Sequence, residues 1–279
     1  MPELPEVETT RRGVSPHLIG KRVNEVVVRQ PKLRWLVPVE LPLILKGAQL
    51  VSIERRAKYL LFQFRRSGAV IGTLIIHLGM SGSLRIVTPG EPLQKHDHID
   101  IRFGSGKMAQ VMRYCDPRRF GAFLWHEGDP FEHKLLRQLG PEPLSDQFDI
   151  DYLFTQCKGR IKTIKQLIME QSVVVGVGNI YANEALFMAG IDPRRAAGRI
   201  SRKRLLRLID AIKSVLDSAI DAGGTTLKDF VGGDGKPGYF SQALQVYGRE
   251  GEECVSCTKI VQKVVQGQRA TFFCKSCQK

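Results

Sequence analysis

The sequence lacks long apolar runs: across its 279 residues no stretch of 18 consecutive apolar positions occurs. A bilayer-spanning helix needs about 20 such residues, so the sequence offers none. The opening MPELPEVETT has no basic segment followed by an apolar one, and does not read as a signal peptide. Cysteine is scarce. There are six, and four of them fall in the last 26 residues, which is not the distribution of a secreted disulfide framework. Cys115 and Cys157 stand alone and read as buried, inert thiols. Internal repeats and low-complexity tracts are absent. Acidic residues are also few: 28 Asp and Glu against 42 Lys and Arg, a net charge of +14. Lys and Arg displace the counterions condensed on phosphates, so this excess suits a nucleic acid. A solvated basic surface, or attraction to an anionic lipid surface, is the alternative.

The length allows two domains and a small third module, and 43% hydrophobic residues allow a sizeable core. Residues 1–15 read as a capped helix, with helical spacing after Pro5 and a stop at Gly13. Between about 20 and 125 the pattern turns to strands. Val23, Val26, Val27 and Val28 form a β-rich stretch, and Val70 to Ile76 reads as a buried strand. Ile99 to Phe103 alternates and leads into a turn at Gly104–Lys107. Gly140-Pro141-Glu142-Pro143-Leu144-Ser145 reads as a linker. Helices follow near 163–170 and from Asn179 to before Gly190. The longest carries Leu205, Leu208, Ile209, Ile212, Leu216 and Ile220 at three- and four-residue steps, with Ser201 as N-cap and Gly223 as stop. The glycine-rich stretch from Gly223 to Tyr239 reads as a lid or a plain connector.

The last 30 residues form a cysteine module. Cys254-x2-Cys257 and Cys274-x2-Cys277 stand sixteen residues apart, the spacing of a four-cysteine zinc site. Two redox pairs are the other reading of the same spacing. With all four positions filled by protein, the zinc would be structural. So small a module buries little core, and the metal would supply much of its folding energy. Ile260 to Phe273 reads as a β-hairpin, and Arg269 stands where it can reach a phosphate or a groove.

Six motifs, in order, carry a resemblance: Pro2-Glu3-Leu4-Pro5-Glu6-Val7-Glu8-Thr9, Arg56-Ala57-Lys58-Tyr59-Leu60, His77-Leu78-Gly79-Met80-Ser81-Gly82, Asp116-Pro117-Arg118-Arg119-Phe120-Gly121, Gly176-Val177-Gly178-Asn179-Ile180-Tyr181, and Gln268-Arg269-Ala270-Thr271 with its cysteines. Gly223-Gly224-Thr225-Thr226 adds to them. Together they resemble the bacterial formamidopyrimidine-DNA glycosylases over the whole chain. The resemblance implies a multi-domain α+β fold: an N-terminal β-sandwich with flanking helices over 1–138, a linker over 139–150, a helix–two-turn–helix domain over 151–240 and a zinc finger over 245–279. It also implies a base-excision enzyme that removes 8-oxoguanine and formamidopyrimidines and then nicks the abasic site by β,δ-elimination.

The chemistry of the first residues fits that implication. Removal of Met1 exposes the secondary amine of Pro2. An α-amino group titrates near 7.7–8.0, well below a lysine at about 10.4, and such an amine can attack C1′ of a nucleotide and become an iminium. On its own Pro2 reads more readily as a stop at a chain end, and the accompanying motifs carry the catalytic reading. Glu3 beside it is the candidate general acid and base. By resemblance Glu6 holds the N-terminus, Lys58 and His77 meet phosphate, and Arg269 completes the catalytic group with Pro2, Glu3 and Lys58. A base attacked in a duplex must leave the stack. Met80, Arg118 and Phe120 match the family's residues that fill the gap and hold the orphaned partner, although Met80 and Phe120 alone read as core residues. Lys165 and Asn179 match DNA contacts. Cys254, Cys257, Cys274 and Cys277 are expected to bind one Zn2+. The expected partner is double-stranded DNA bearing oxidised purines or abasic sites, met by a monomer in the bacterial cytoplasm. The alternatives are an endonuclease VIII-type enzyme for oxidised pyrimidines, which typically opens Pro-Glu-Gly-Pro where this chain has Leu4, a catalytically silent zinc-ribbon DNA-binding protein, and an N-terminal-proline tautomerase.

Overall fold

A computed structural model describes residues 2–106, 109–224 and 244–279. The expected lid over 223–239 thus lies outside the described residues apart from Gly223 and Gly224. The chain divides into two compact units, Met1–Arg137 with Ala222–Tyr239, and Gln138–Asp221 with Phe240–Lys279.

The first unit is a β-sandwich. β1 (Val23–Val28), β6 (Asp97–Phe103), β7 (Gln110–Cys115) and β5 (Ser83–Val87) form one antiparallel sheet in that order. β2 (Gln49–Arg56), β3 (Tyr59–Arg66), β4 (Ala69–His77) and β8 (Ala122–His126) form the other. Val26, Ile99, Ile101, Phe103, Met112 and Leu84 from the first sheet share one core with Phe62, Phe64, Leu74, Ile76 and Phe123 from the second. Their β-branched and aromatic side chains fit a pleated, buried surface. A short helix, α2 (Leu41–Leu45), buries Leu41 and Leu45 in the same core.

Helix α1 runs from Leu4 to Leu18, past the stop expected at Gly13. Val14 and Leu18 continue the buried stripe begun by Leu4 and Val7. Burying them offsets the cost of about 1 kcal/mol for an interior glycine. The alternation of β6 also reads differently in three dimensions. Asp97 and Asp100 are buried along with the apolar positions, because arginines cover that face. Arg113 grips Asp100 through Nε at 2.9 Å and Nη2 at 3.1 Å. Arg29 Nη2 adds a contact at 2.7 Å, and Arg85 pairs with Asp97. Burial alone would push the Asp100 carboxyl up, but its hydrogen bonds from Arg113 and Arg29 hold it below the usual range.

The second unit is helical and ends in the cysteine module. α3 (Ile150–Cys157) is capped by Asp149, whose Oδ1 accepts the Tyr152 N–H at 2.8 Å. α4 (Ile164–Ile168) and α5 (Asn179–Met188) lie near the expected places. α6 (Arg202–Asp221) buries Leu205, Leu208, Ile209, Ile212, Leu216 and Ile220, the stripe read from the sequence. The segment read as a linker is pinned at Gly140, whose N–H donates to Gln171 O at 2.8 Å, and at Pro141, whose carbonyl accepts from Val175 at 3.1 Å. Glu184, buried on α5, accepts the backbone N–H groups of Gln245, Val246 and Tyr247 at 2.8, 3.0 and 2.8 Å. β9 (Gln262–Gln266) and β10 (Arg269–Phe273) form the terminal hairpin. Among the described residues no helix is long and apolar enough to cross a membrane. Cys157 is buried, which raises its thiol to about 11. Cys115 is half-buried and, chiefly by that burial, is also raised to about 11. Neither is an activated nucleophile.

Candidate active site

The chain start is fixed by α1. Pro2 and Glu3 are buried, and Glu3 is the N-cap. Glu3 and Glu6 form a capping box in which the Glu3 backbone N–H donates to Glu6 Oε2 at 2.7 Å. Gly224 comes close to the same carboxylate: with φ at +82°, a β-carbon there would lie 3.2 Å from Glu6 Oε1. Glu8, one turn on, has a different task. It pairs with Arg11 at 2.8 Å, Arg12 at 2.9 Å and Arg55 at 3.2 Å. Burial works to raise its carboxyl, but the hydrogen bonds and charges of these arginines outweigh it and hold it low. Glu8 therefore reads as an ion-pair anchor for α1.

Lys58 lies in the two-residue turn between β2 and β3, opened by the left-handed Ala57 at φ 54°. It is buried, with only 8% of it exposed. His77 closes β4 opposite Tyr59, with ring centroids 4.9 Å apart. Its Nδ1 accepts the Gly79 N–H at 2.9 Å, which leaves the proton of the neutral ring on Nε2. Burial lowers the imidazole to about 4, helped by the charges of Lys58 and Arg34 and opposed by Asp116. His77 is thus an uncharged N–H donor at neutral pH, set beside two cations.

Met80 and the pair Arg118 and Phe120 sit on adjacent turns. Met80 is half-buried in the turn after β4, and Phe120 is 43% exposed. Neither is a core residue. The Arg118 guanidinium lies over the Phe120 ring at 4.9 Å. The turns touch backbone to backbone: a β-carbon on Gly79, whose φ is +69°, would meet Gly121 N and Phe120 C at 2.5 Å. Beneath them lies Asp116, fully buried, which the reading of the sequence passed over as a site residue. Its signal was local, an Asp-Pro pair of the kind that opens an Asx turn. Arg34 was passed over as well; its N–H donates to Gly121 O at 3.1 Å.

The second unit holds the remaining expected residues. Lys165 is 1% exposed, and its Nζ donates to Ala270 O at 2.8 Å and Thr271 Oγ1 at 2.7 Å. It therefore ties α4 to β10. Arg269, the first residue of β10, is exposed and follows a tight turn of two left-handed residues, Gly267 and Gln268. Asn179 opens α5, and its Oδ1 is buried with no hydrogen-bond partner among the described residues.

The four cysteines converge. Their sulfurs lie within 4.8 Å of one another, with Cys254 and Cys277 at 3.9 Å and Cys257 and Cys274 at 3.4 Å. Four thiolates on one zinc at about 2.3 Å would stand about 3.8 Å apart, so the set fits a tetrahedral ion with no position left for substrate. Among the described residues this is the one group of three or more potential ligands that converges in this way.

Three family models match in order along the chain: the formamidopyrimidine-DNA glycosylase N-terminal domain over residues 1–123, the formamidopyrimidine-DNA glycosylase H2TH domain over 139–231, and a zinc finger found in FPG and IleRS over 251–279. The formamidopyrimidine-DNA glycosylase of Pseudomonas fluorescens is 59% identical over 279 residues, all of both chains. The chain belongs to the formamidopyrimidine-DNA glycosylase family. Its enzyme class is that of the family, DNA glycosylase and abasic-site lyase, and its zinc is structural. A catalytically silent zinc-ribbon protein is thereby set aside. The Cellvibrio japonicus family member is 56% identical over 278 residues, again the whole of both chains. Among solved structures, a Lactococcus lactis FPG mutant in complex with a Fapy-dG containing DNA matches with a TM-score of 0.91 at 34% identity, covering 100% of each chain. The Lactococcus lactis Fpg with an abasic site containing DNA gives 0.90 at 33%, covering 99% of each.

Proposed function

We propose that this chain excises oxidised purines, 8-oxoguanine and formamidopyrimidines, from double-stranded DNA and nicks the resulting abasic site. The observation that carries the reading is its full-length likeness to family structures holding Fapy-dG and abasic-site DNA. With Met1 removed, the Pro2 nitrogen attacks C1′, the glycosidic bond breaks and the base leaves with a proton. Glu3 protonates the sugar ring oxygen as the ring opens, and an iminium forms. Loss of a C2′ proton expels the 3′ phosphate, and a second elimination expels the 5′ phosphate. The Glu3–Glu6 capping box supports this assignment, since it fixes the backbone next to the nucleophile.

Lys58, His77, Asn179 and Arg269 serve the phosphates, His77 as a neutral donor, while the buried Lys165 supports β10, which carries Arg269. Met80 and Phe120 fill the gap left by the extruded base, and Arg118 meets its orphaned partner. The enzyme acts as a monomer on DNA in the bacterial cytoplasm. Borohydride should trap it on 8-oxoguanine duplex, and the intact mass of the purified chain should lack Met1. A processed protein that excises the base yet gives no adduct refutes the Pro2 mechanism.

A further inference from the structure

The geometry points to Asp116 as a positioning residue for duplex opening, one that acts by holding the Met80 and Phe120 turns in register. The inference rests on the assignment of those two side chains as the wedge. Four donors converge on its buried carboxylate. Oδ1 accepts the Ser81 hydroxyl at 2.8 Å and the Arg118 N–H at 3.2 Å. Oδ2 accepts the Tyr114 hydroxyl at 2.8 Å and the Gly121 N–H at 2.9 Å. Ser81 belongs to the Met80 turn, while Arg118 and Gly121 flank the Phe120 turn. The Asp116 backbone is fixed too: its N–H donates to His96 O at 3.0 Å, and its carbonyl accepts from the Arg119 N–H at 3.2 Å. His98 Nε2 lies 2.8 Å from the same carbonyl. No atom of Asp116 is exposed, so it reaches the substrate only through the turns it holds.

The glycines leave the carboxylate little room to be replaced. A β-carbon on Gly121 would fall 1.7 Å from the Tyr114 hydroxyl, and one on Gly82 would fall 2.7 Å from it. Asparagine at 116 keeps the shape but offers one acceptor oxygen. The two hydroxyls can rotate to accept from its NH2 group, whereas a backbone N–H cannot. The Arg118 N–H retains Ser81 Oγ at 3.3 Å as a second acceptor. The amide oxygen therefore turns to Gly121, and the NH2 group faces the Arg118 N–H. The turn that carries the wedge and the orphan-base residue is loosened without a large apolar cavity being opened.

The test compares two substrates. A duplex holding 8-oxoguanine opposite cytosine requires extrusion and gap filling. A single-stranded abasic oligonucleotide requires only the chemistry. For Asp116→Asn, single-turnover excision from the duplex should fall on the order of tenfold, about 1.4 kcal/mol, while nicking of the single strand stays within about twofold. Tyr114→Phe removes one of the four donors and should show the same asymmetry, a few-fold in size, should Asp116→Asn fail to fold. Equal losses on both substrates in a folded variant would make Asp116 a fold residue only and overturn the inference. So would unchanged duplex excision in both variants while Met80→Ala and Phe120→Ala are impaired. If Met80→Ala and Phe120→Ala also excise normally from the duplex, the wedge assignment itself fails, and the inference falls with it.

Discussion

Acid should unfold the β-sandwich sooner than it unfolds a His77→Gln variant. His77 is held at about 4 in the folded protein against an ordinary 6.5, first by burial and then by the charges of Lys58 and Arg34. The unfolded chain takes up its proton near 6.5, while the folded chain resists until about 4. Stability is therefore complete above 6.5 and is lost as the pH falls toward 4. At about 1.4 kcal/mol per pH unit the whole effect is at most about 3.5 kcal/mol, of which about 2 kcal/mol is gone by pH 5. The ring keeps an exposed edge, and water screening lowers the figure below that ceiling. Glutamine can still accept the Gly79 N–H but does not titrate. Both tryptophans, Trp35 and Trp125, lie in this unit, so urea unfolding followed by tryptophan fluorescence reports on it. Between pH 7 and pH 5 the unvaried protein should lose up to about 2 kcal/mol more than His77→Gln. Parallel profiles, or a His77 titration midpoint near 6.5, would refute the reasoning.

The metal should be countable. Release by a thiol-modifying reagent with a colorimetric zinc indicator should yield one Zn2+ per chain, and Cys274→Ser should release far less. Stripping the ion should unfold the terminal module, because structural zinc supplies about 10–16 kcal/mol in comparable small modules; retained hairpin signals in apo protein would contradict this. Arg113→Leu should destabilise the sandwich by about 3–5 kcal/mol, the usual effect of leaving buried carboxylates short of a partner. Thermal or urea unfolding reads that loss, and a change below about 1 kcal/mol would mean that Arg29 and Arg85 suffice for Asp100 and Asp97.

Periodicity and punctuation made much of the architecture legible. The stripe of α6 follows from spacing alone, since it buries one face; α5, buried on all sides from Ile180 to Phe187, is marked instead by the glycine-rich turns around it, and the hairpin by alternation between the cysteine pairs. Legibility ended where tertiary partners decide. Gly13 looked like a helix stop because a propensity carries no knowledge of the core that Val14 and Leu18 reach. Asp100 looked solvent-facing because its guanidinium partners lie at 29 and 113 in the chain. The helices α2 and α3 span five and eight residues, too short for a clear period. Among the candidate site residues, the burial of Lys58 and Lys165 was not legible. Their burial depends on elements far away in sequence, such as Ala270 and Thr271 for Lys165.

Met80 and Phe120 mark the deepest gap between sequence and site. By residue type they belong in a core, and only the family motifs placed them at the DNA. The structure supplies a physical reason why they are not inside. The Gly79 turn and the Gly121 turn press together too closely for side chains to fold back between them. The carboxylate of Asp116 fills the space beneath with four hydrogen bonds. With no interior left to enter, Phe120 stays 43% exposed and rests against the Arg118 guanidinium. At 43% exposed, Phe120 forgoes only part of the about 1.5–3 kcal/mol that full burial would bring. Insertion into a gap in stacked bases would recover part of that, because the ring then leaves water. Under the proposed wedge role, the backbone that denies Phe120 a place in the core would thus also lower the cost of opening a duplex.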